Sequence, residues 1–155
     1  MNTLANRTGE AGWLVAAALA VGDQLTKLLI SGLDQPIGFA GFSLGRVVNQ
    51  AGLFGLDVSN RSLVVAGVIV CTGLTALLLT STRHPAVQTG LWLILFGAAS
   101  NLVDRVTSGG VIDIVGIEGV SRFNLADVMI VLGALALLLG LLRPSPSSGN
   151  GMTER

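Results

Sequence analysis

Charge is scarce in this chain and leans to neither sign. Nine Lys and Arg residues balance nine Asp and Glu among 155, so charged side chains are 12% of the total, against about 25% in an ordinary soluble domain. Without a basic excess nothing is available to neutralise phosphates, which excludes nucleic acid as a partner. Cysteine is nearly absent: Cys71 alone forms neither an internal disulfide nor a multi-cysteine metal site. A single histidine, His84, is poor material for zinc, so neither metal nor cofactor is expected. The sequence also lacks a Ser/His/Asp set and a phosphate-binding glycine loop. The chemistry that remains is that of carboxylates.

What is abundant is apolar sequence. The hydrophobic set makes up 51% of the residues and the mean hydropathy is +0.75, values that fit an integral membrane protein. A bilayer crossing takes about 20 helical residues, and apolar stretches near 11–33, 62–80, 86–105 and 124–142 meet that length. The amino-terminal "WLVAAALA" after Arg7 has features of a cleavable signal peptide, but apolar character resumes at once as "LTKLLISGL", so an anchored first helix is expected. The expected fold class is an all-α polytopic membrane protein with four transmembrane helices. Residues 1–143 form one membrane-embedded domain, and the Pro/Ser/Gly-rich residues 144–155 a disordered tail.

Between the first two helices, "FSLGRVV" and its flanking glycines predict a small strand or hairpin outside the bilayer, a β-containing segment within 34–61. The following "AGLFGLDVSNR" predicts a short interfacial helix, and Gly52 to Arg61 a lid over any site below. Residues 106–123 form the second linker on that side. Arg7, Arg83, Arg143 and Arg155 fall on the side of the termini, against Arg46, Arg61 and Arg122 opposite, so the termini are expected in the cytoplasm.

The polar residues of the apolar stretches admit two readings each. Asp23 and Lys27 are four apart with the acid first, suited to an ion pair; they either neutralise each other or support a site. Asn101, Asp104 and Arg105 share one helix face, as a solvated helix end or as part of a site. Asn124 is placed to cap the last helix, with Asp127 in its first turn favoured by the dipole. Asp113, in "GGVIDIVG", is either the exposed side of a strand or an acid held among β-branched neighbours. With four spans, all four aspartates converge near one membrane face whichever way up the protein sits.

In order along the chain, "DQLTK" (23–27), "NQAGLFG" (49–55), "NLVDR" (101–105), "VID" (111–113) and "FNLAD" (123–127) resemble the signature segments of the lipoprotein signal peptidases, signal peptidase II. Two departures are visible: Ala51-Gly52 where the family usually has Gly-Ala, and Ile114 where it usually has Phe. The resemblance implies an aspartic endopeptidase of the bacterial cytoplasmic membrane. Such an enzyme removes signal peptides from diacylglyceryl-modified prolipoproteins, cutting before the lipidated cysteine, and is blocked by globomycin. By matching position, Asp113 and Asp127 are the implied catalytic pair. Asp23, Lys27, Asn49, Asn101, Asp104, Arg105 and Asn124 are the implied supporting residues. The partners expected are prolipoproteins and membrane lipids, with the protein itself a monomer. The rival class is a small transporter or proton-conducting protein, because intramembrane carboxylates also mark ion pathways; a non-catalytic assembly protein is a third.

Overall fold

The computed structural model describes residues 2–32, 36–50, 58–80 and 84–142, with the side chains of the first helix from Ala11 onward. In chain order the elements are α1 (Asn2–Ile30), β1 (Ile37–Phe39), β2 (Phe42–Asn49), α2 (Asn60–Thr80), α3 (Pro85–Ser108), β3 (Val111–Ile117), β4 (Ser121–Phe123) and α4 (Leu125–Leu141). Ala11–Ile30 of α1, together with α2 and α3, are long and apolar enough to cross a bilayer. The helix α4 is as apolar but has 17 residues, about 25 Å of rise against a hydrocarbon core near 30 Å.

The outer surface explains the composition. Among the described residues no α2 side chain is buried, and Ile69 and Leu77 of α2, Leu28 and Leu29 of α1 and Leu138 of α4 are exposed. Helices with apolar side chains all round are matched by lipid rather than water, and their internal backbone hydrogen bonds satisfy the polar groups that lipid cannot.

The axis of the bundle is α3, which packs against α1, α2 and α4. Pro85 opens it at the first helical position, where no backbone donor is needed. Gly109 closes it in the left-handed conformation, φ +73°. Its closest neighbour is α4, because glycines let the backbones meet: a Cβ at Gly90 would lie 2.6 Å from Gly133 O and 2.8 Å from Leu137 N. In a membrane, where apolar burial between helices gains little over lipid, such close packing is a main source of helix association.

On one end of the bundle lies a four-stranded antiparallel sheet in the order β1-β2-β3-β4. The β1–β2 hairpin turns through Ala40 and Gly41, both at positive φ (49° and 82°), as the tight two-residue turn requires. The sheet departs from the expectation of an otherwise all-helical protein with β structure only between the first two helices. Half its strands come from the linker between α3 and α4, with Val47 opposite Asp113 and Asn49 opposite Val111. The physical reason is that a lone hairpin leaves an unpaired edge, and the β-branched "VIDIV" supplies the strand that covers it. Ile112 and Ile114 then pack on Ile30 at the end of α1. The expected interfacial helix and lid lie largely in 51–57, outside the described residues, as does the expected disordered tail.

Replacing Gly90 or Gly133 by Ala is expected to lower the thermal midpoint in detergent, an overpacking cost of about 1–3 kcal/mol. Gly73→Ala, where an added Cβ has nothing within 4 Å, is expected to leave the midpoint unchanged or slightly raised. A circular-dichroism melt of the three variants checks this.

Candidate active site

The sheet and the ends of α1, α3 and α4 meet around a buried ammonium. Lys27 Nζ lies 2.5 Å from Asp23 Oδ2 and 2.6 Å from Asp104 Oδ2, with Lys27 3%, Asp23 0% and Asp104 1% exposed. Unpaired charges there would cost several kcal/mol each. The carboxylates therefore take further donors. Ser100 Oγ donates to Asp23 (2.7 Å), and Gln24 Nε2 donates to Asp104 (3.0 Å) and to Ser100 Oγ (2.9 Å).

Two further donors are backbone groups, and they give the cluster its architectural meaning. Ala126 N donates to Asp23 Oδ1 at 3.1 Å and Ile112 N donates to Asp104 Oδ2 at 3.1 Å. Each buried aspartate thus holds the residue immediately before another aspartate, Asp127 in one case and Asp113 in the other. The negative end of Asp23 also sits at the first turn of α4, where the helix dipole favours it.

Asp113 and Asp127 line one cleft of about 480 Å³. Leu63 and Val70 of α2, Leu102 of α3, and Ile130 and Val131 of α4 form its apolar walls; Asn49, Asn101, Arg105 and Arg122 are its other polar lining. Each acid receives an asparagine amide: Asn49 Nδ2 donates to Asp113 Oδ2 (3.1 Å) and Asn101 Nδ2 to Asp127 Oδ1 (2.9 Å). Asp127 Oδ2 also accepts from Asn124 N at 3.1 Å, while Asp127 N donates to Asn124 Oδ1 at 2.9 Å, a reciprocal capping box. Burial holds the Asp113 carboxyl above the usual carboxylate range. The charge of Asp127 pushes the same way, while the Asn49 hydrogen bond, Lys27 and Arg122 oppose.

Residues 15–143 match the family of signal peptidase (SPase) II. The lipoprotein signal peptidase of Moorella thermoacetica is 35% identical over 147 residues, covering 88% of this chain and 95% of its own length. That of Pelotomaculum thermopropionicum is 34% identical over 143 residues, covering 88% and 94%. The chain belongs to the signal peptidase II family. It is accordingly a membrane aspartic peptidase with several spans. Two solved structures of bacterial membrane enzymes share the fold, with TM-scores of 0.76 and 0.75 at 19% and 20% identity; the alignments cover 94% and 88% of this chain and 94% and 95% of theirs.

Seen in this signal peptidase II, the polar residues named from sequence divide into two groups. Asp113, Asp127, Asn49, Asn101 and Arg105 line the cleft; Asp23, Lys27 and Asp104 lie in the buried cluster beside it. Asn101, Asp104 and Arg105, read as one helix face, reach different neighbours. Asn101 bonds α4, Asp104 bonds α1 and β3, and Arg105 meets α2, where Asn60 Nδ2 donates to its carbonyl (2.9 Å). A face about one-third of the circumference wide spans more than one partner in a bundle. Asn124 caps α4, and its amide donates to Asn101 Oδ1 (3.0 Å) and Ile112 O (3.2 Å), tying β3, α3 and α4 together.

Sequence reasoning missed Gln24, Ser100 and Arg122. Gln24 and Ser100 had a usable signal, polar side chains one residue from Asp23 and Asn101 inside apolar helices. Arg122 had none beyond its charge.

Lys27→Met leaves two buried carboxylates without their cation and is expected to cost about 3–5 kcal/mol of stability, read by chemical unfolding in micelles. For Asp113 the sign is opposite. Because its folded pKa is raised, its contribution to stability is full below the unfolded value, 3.8, and is lost as pH rises through the folded one. Asp113→Asn is therefore expected to melt above wild type at neutral pH, with the gap closing toward pH 4 in a melt series.

Proposed function

We propose that this peptidase cleaves diacylglyceryl-modified prolipoproteins immediately before the lipidated cysteine, with Asp113 and Asp127 as the catalytic pair. The observation that carries this is the meeting of those two carboxyls in a single cleft walled by α2 and α4, one on a strand and one on a helix start, each oriented by its own asparagine.

Hydrolysis of an amide needs water made nucleophilic and a nitrogen protonated as it leaves. Two neighbouring carboxyls resist double ionisation and hold one proton between them. The ionised carboxyl of the pair takes the proton of water. The water oxygen bonds the scissile carbonyl carbon, the protonated carboxyl of the pair delivers its proton to the nitrogen, and the carbon–nitrogen bond breaks. The products are the signal peptide with a free carboxylate and the lipoprotein with a free cysteine amine. Charge on the carbonyl oxygen during attack calls for a donor, which the cleft lining provides in kind through Arg105.

The apolar walls account for the substrate class. A signal helix and acyl chains remain in a lipid-like setting between Leu63, Val70, Ile130 and Val131 while the scissile bond meets the polar end of the cleft. Termini in the cytoplasm and the sheet on the extracytoplasmic face of the bacterial membrane complete this reading. No metal enters the chemistry proposed.

Purified protein incubated with a diacylglyceryl prolipoprotein is expected to release the signal peptide, and globomycin to stop it. Asp113→Asn and Asp127→Asn are each expected to lose cleavage by roughly a thousandfold or more while keeping fold and membrane insertion. Substantial cleavage by either variant would sink the assignment of the pair.

A further inference from the structure

Arg122 is the cleft residue to which neither the buried cluster nor the dyad assigns a task. It lies on β4 opposite Gly116 of β3, and Gly116 lies opposite Ser43 of β2. The missing side chain at Gly116 is what lets the arginine pass: a Cβ there would lie 3.1 Å from Arg122 Nη1 and would collide with Ser43 Oγ. Through that gap the guanidinium reaches across β3 to β2. Nη1 donates to Ser43 Oγ at 3.3 Å and Nη2 donates to Gly45 O at 3.0 Å, at the register shift between Leu44 and Val47.

Two of the three guanidinium nitrogens are thus anchored, and the third is not. Among the described residues Arg122 Nε is buried with no hydrogen-bond partner, although the residue lines the cleft that holds Asp113 and Asp127. A buried donor on a charged group left unpaired is costly, and native proteins rarely keep one without use. The asparagine amides nearest the acids are engaged, Asn49 on Asp113 and Asn101 on Asp127. An anionic acceptor would be repelled by the same two carboxylates, so the acceptor that fits is neutral. A polypeptide crossing the cleft offers one in each main-chain carbonyl.

We propose that Arg122 is a substrate-positioning residue, strapped to β2 by its two Nη groups, whose buried Nε–H is uncovered as a peptide enters the cleft and donates to one of its main-chain carbonyls. The proposal rests on the cleft being the peptidase site. It assigns Arg122 to holding the register of the peptide against the acids, not to the bond-breaking step.

The test is steady-state cleavage of a diacylglyceryl-modified precursor peptide by the full-length protein and its Arg122→Lys and Arg122→Gln variants. Lysine keeps the charge and a donor for Gly45 O but has no N–H at the ε position. Both variants are expected to raise KM roughly tenfold or more, with kcat within about twofold of wild type. Arg122→Lys is expected to keep the wild-type thermal midpoint, which a purely structural strap would not couple to a KM change. A wild-type KM for Arg122→Lys, or a loss confined to kcat, overturns the proposal. Should either variant misfold, the Arg122 Nε–H resonance in nitrogen-15 arginine-labelled Asp113→Asn protein decides: it is expected to shift on adding the peptide, and an unmoved signal overturns the assignment. Failure of the wild-type protein to cleave the peptide would remove the peptidase reading itself. Cleavage by wild type but not by Asp113→Asn keeps that reading and leaves Arg122 to be judged by KM and the resonance.

Discussion

The ammonium of Lys27 between the carboxylates of Asp23 and Asp104 is the interaction on which the rest of the structure hangs. One cation facing two buried anions leaves residual negative charge, and the protein satisfies it with donors from four elements. Those donors include the backbone at Ile112 and Ala126, so the cost of burying the cluster is offset by bonds that also set where β3 and α4 begin. In a low-dielectric interior a fully connected polar network of this kind is stiff, since loosening any member strands a charge. The positions of Asp113 and Asp127 follow from it, although neither touches Lys27 directly among the hydrogen bonds described.

Around that cluster the bundle is asymmetric in a useful way. α4 is drawn tightly onto α3 by Gly90, Gly97 and Gly133, while α2 meets α3 through ordinary side chains such as Leu102 against Gly67. Tight packing on one side and looser packing on the other leave an apolar-walled cleft with its polar end under the sheet. Burial that raises the proton affinity of Asp113 is the electrostatic counterpart of the same geometry. A site that destabilises its own carboxylate is a common signature of function carried at the expense of stability.

Much of this was legible in the chain. Polar residues are so few in the apolar stretches that each one attracts attention, and the helices follow from length and hydropathy alone. Local pattern also showed that Asn124 suits a helix cap and that Asp23 and Lys27 pair. It did not show Lys27 reaching Asp104, 77 residues away, nor β3 completing the sheet begun by β2. It did not show Arg122 crossing a glycine to a strand 77 residues earlier.

The sequence by itself determined a membrane protein of apolar helices whose chemistry must be carried by aspartates, because composition and helical periodicity are properties of neighbours in the chain. Tertiary structure alone decided which aspartates share a cleft and which are buried around a lysine. Periodicity states which residues occupy one face, and only packing states what that face meets: on α3, Asn101 and Asp104, one turn apart, are sent to different helices.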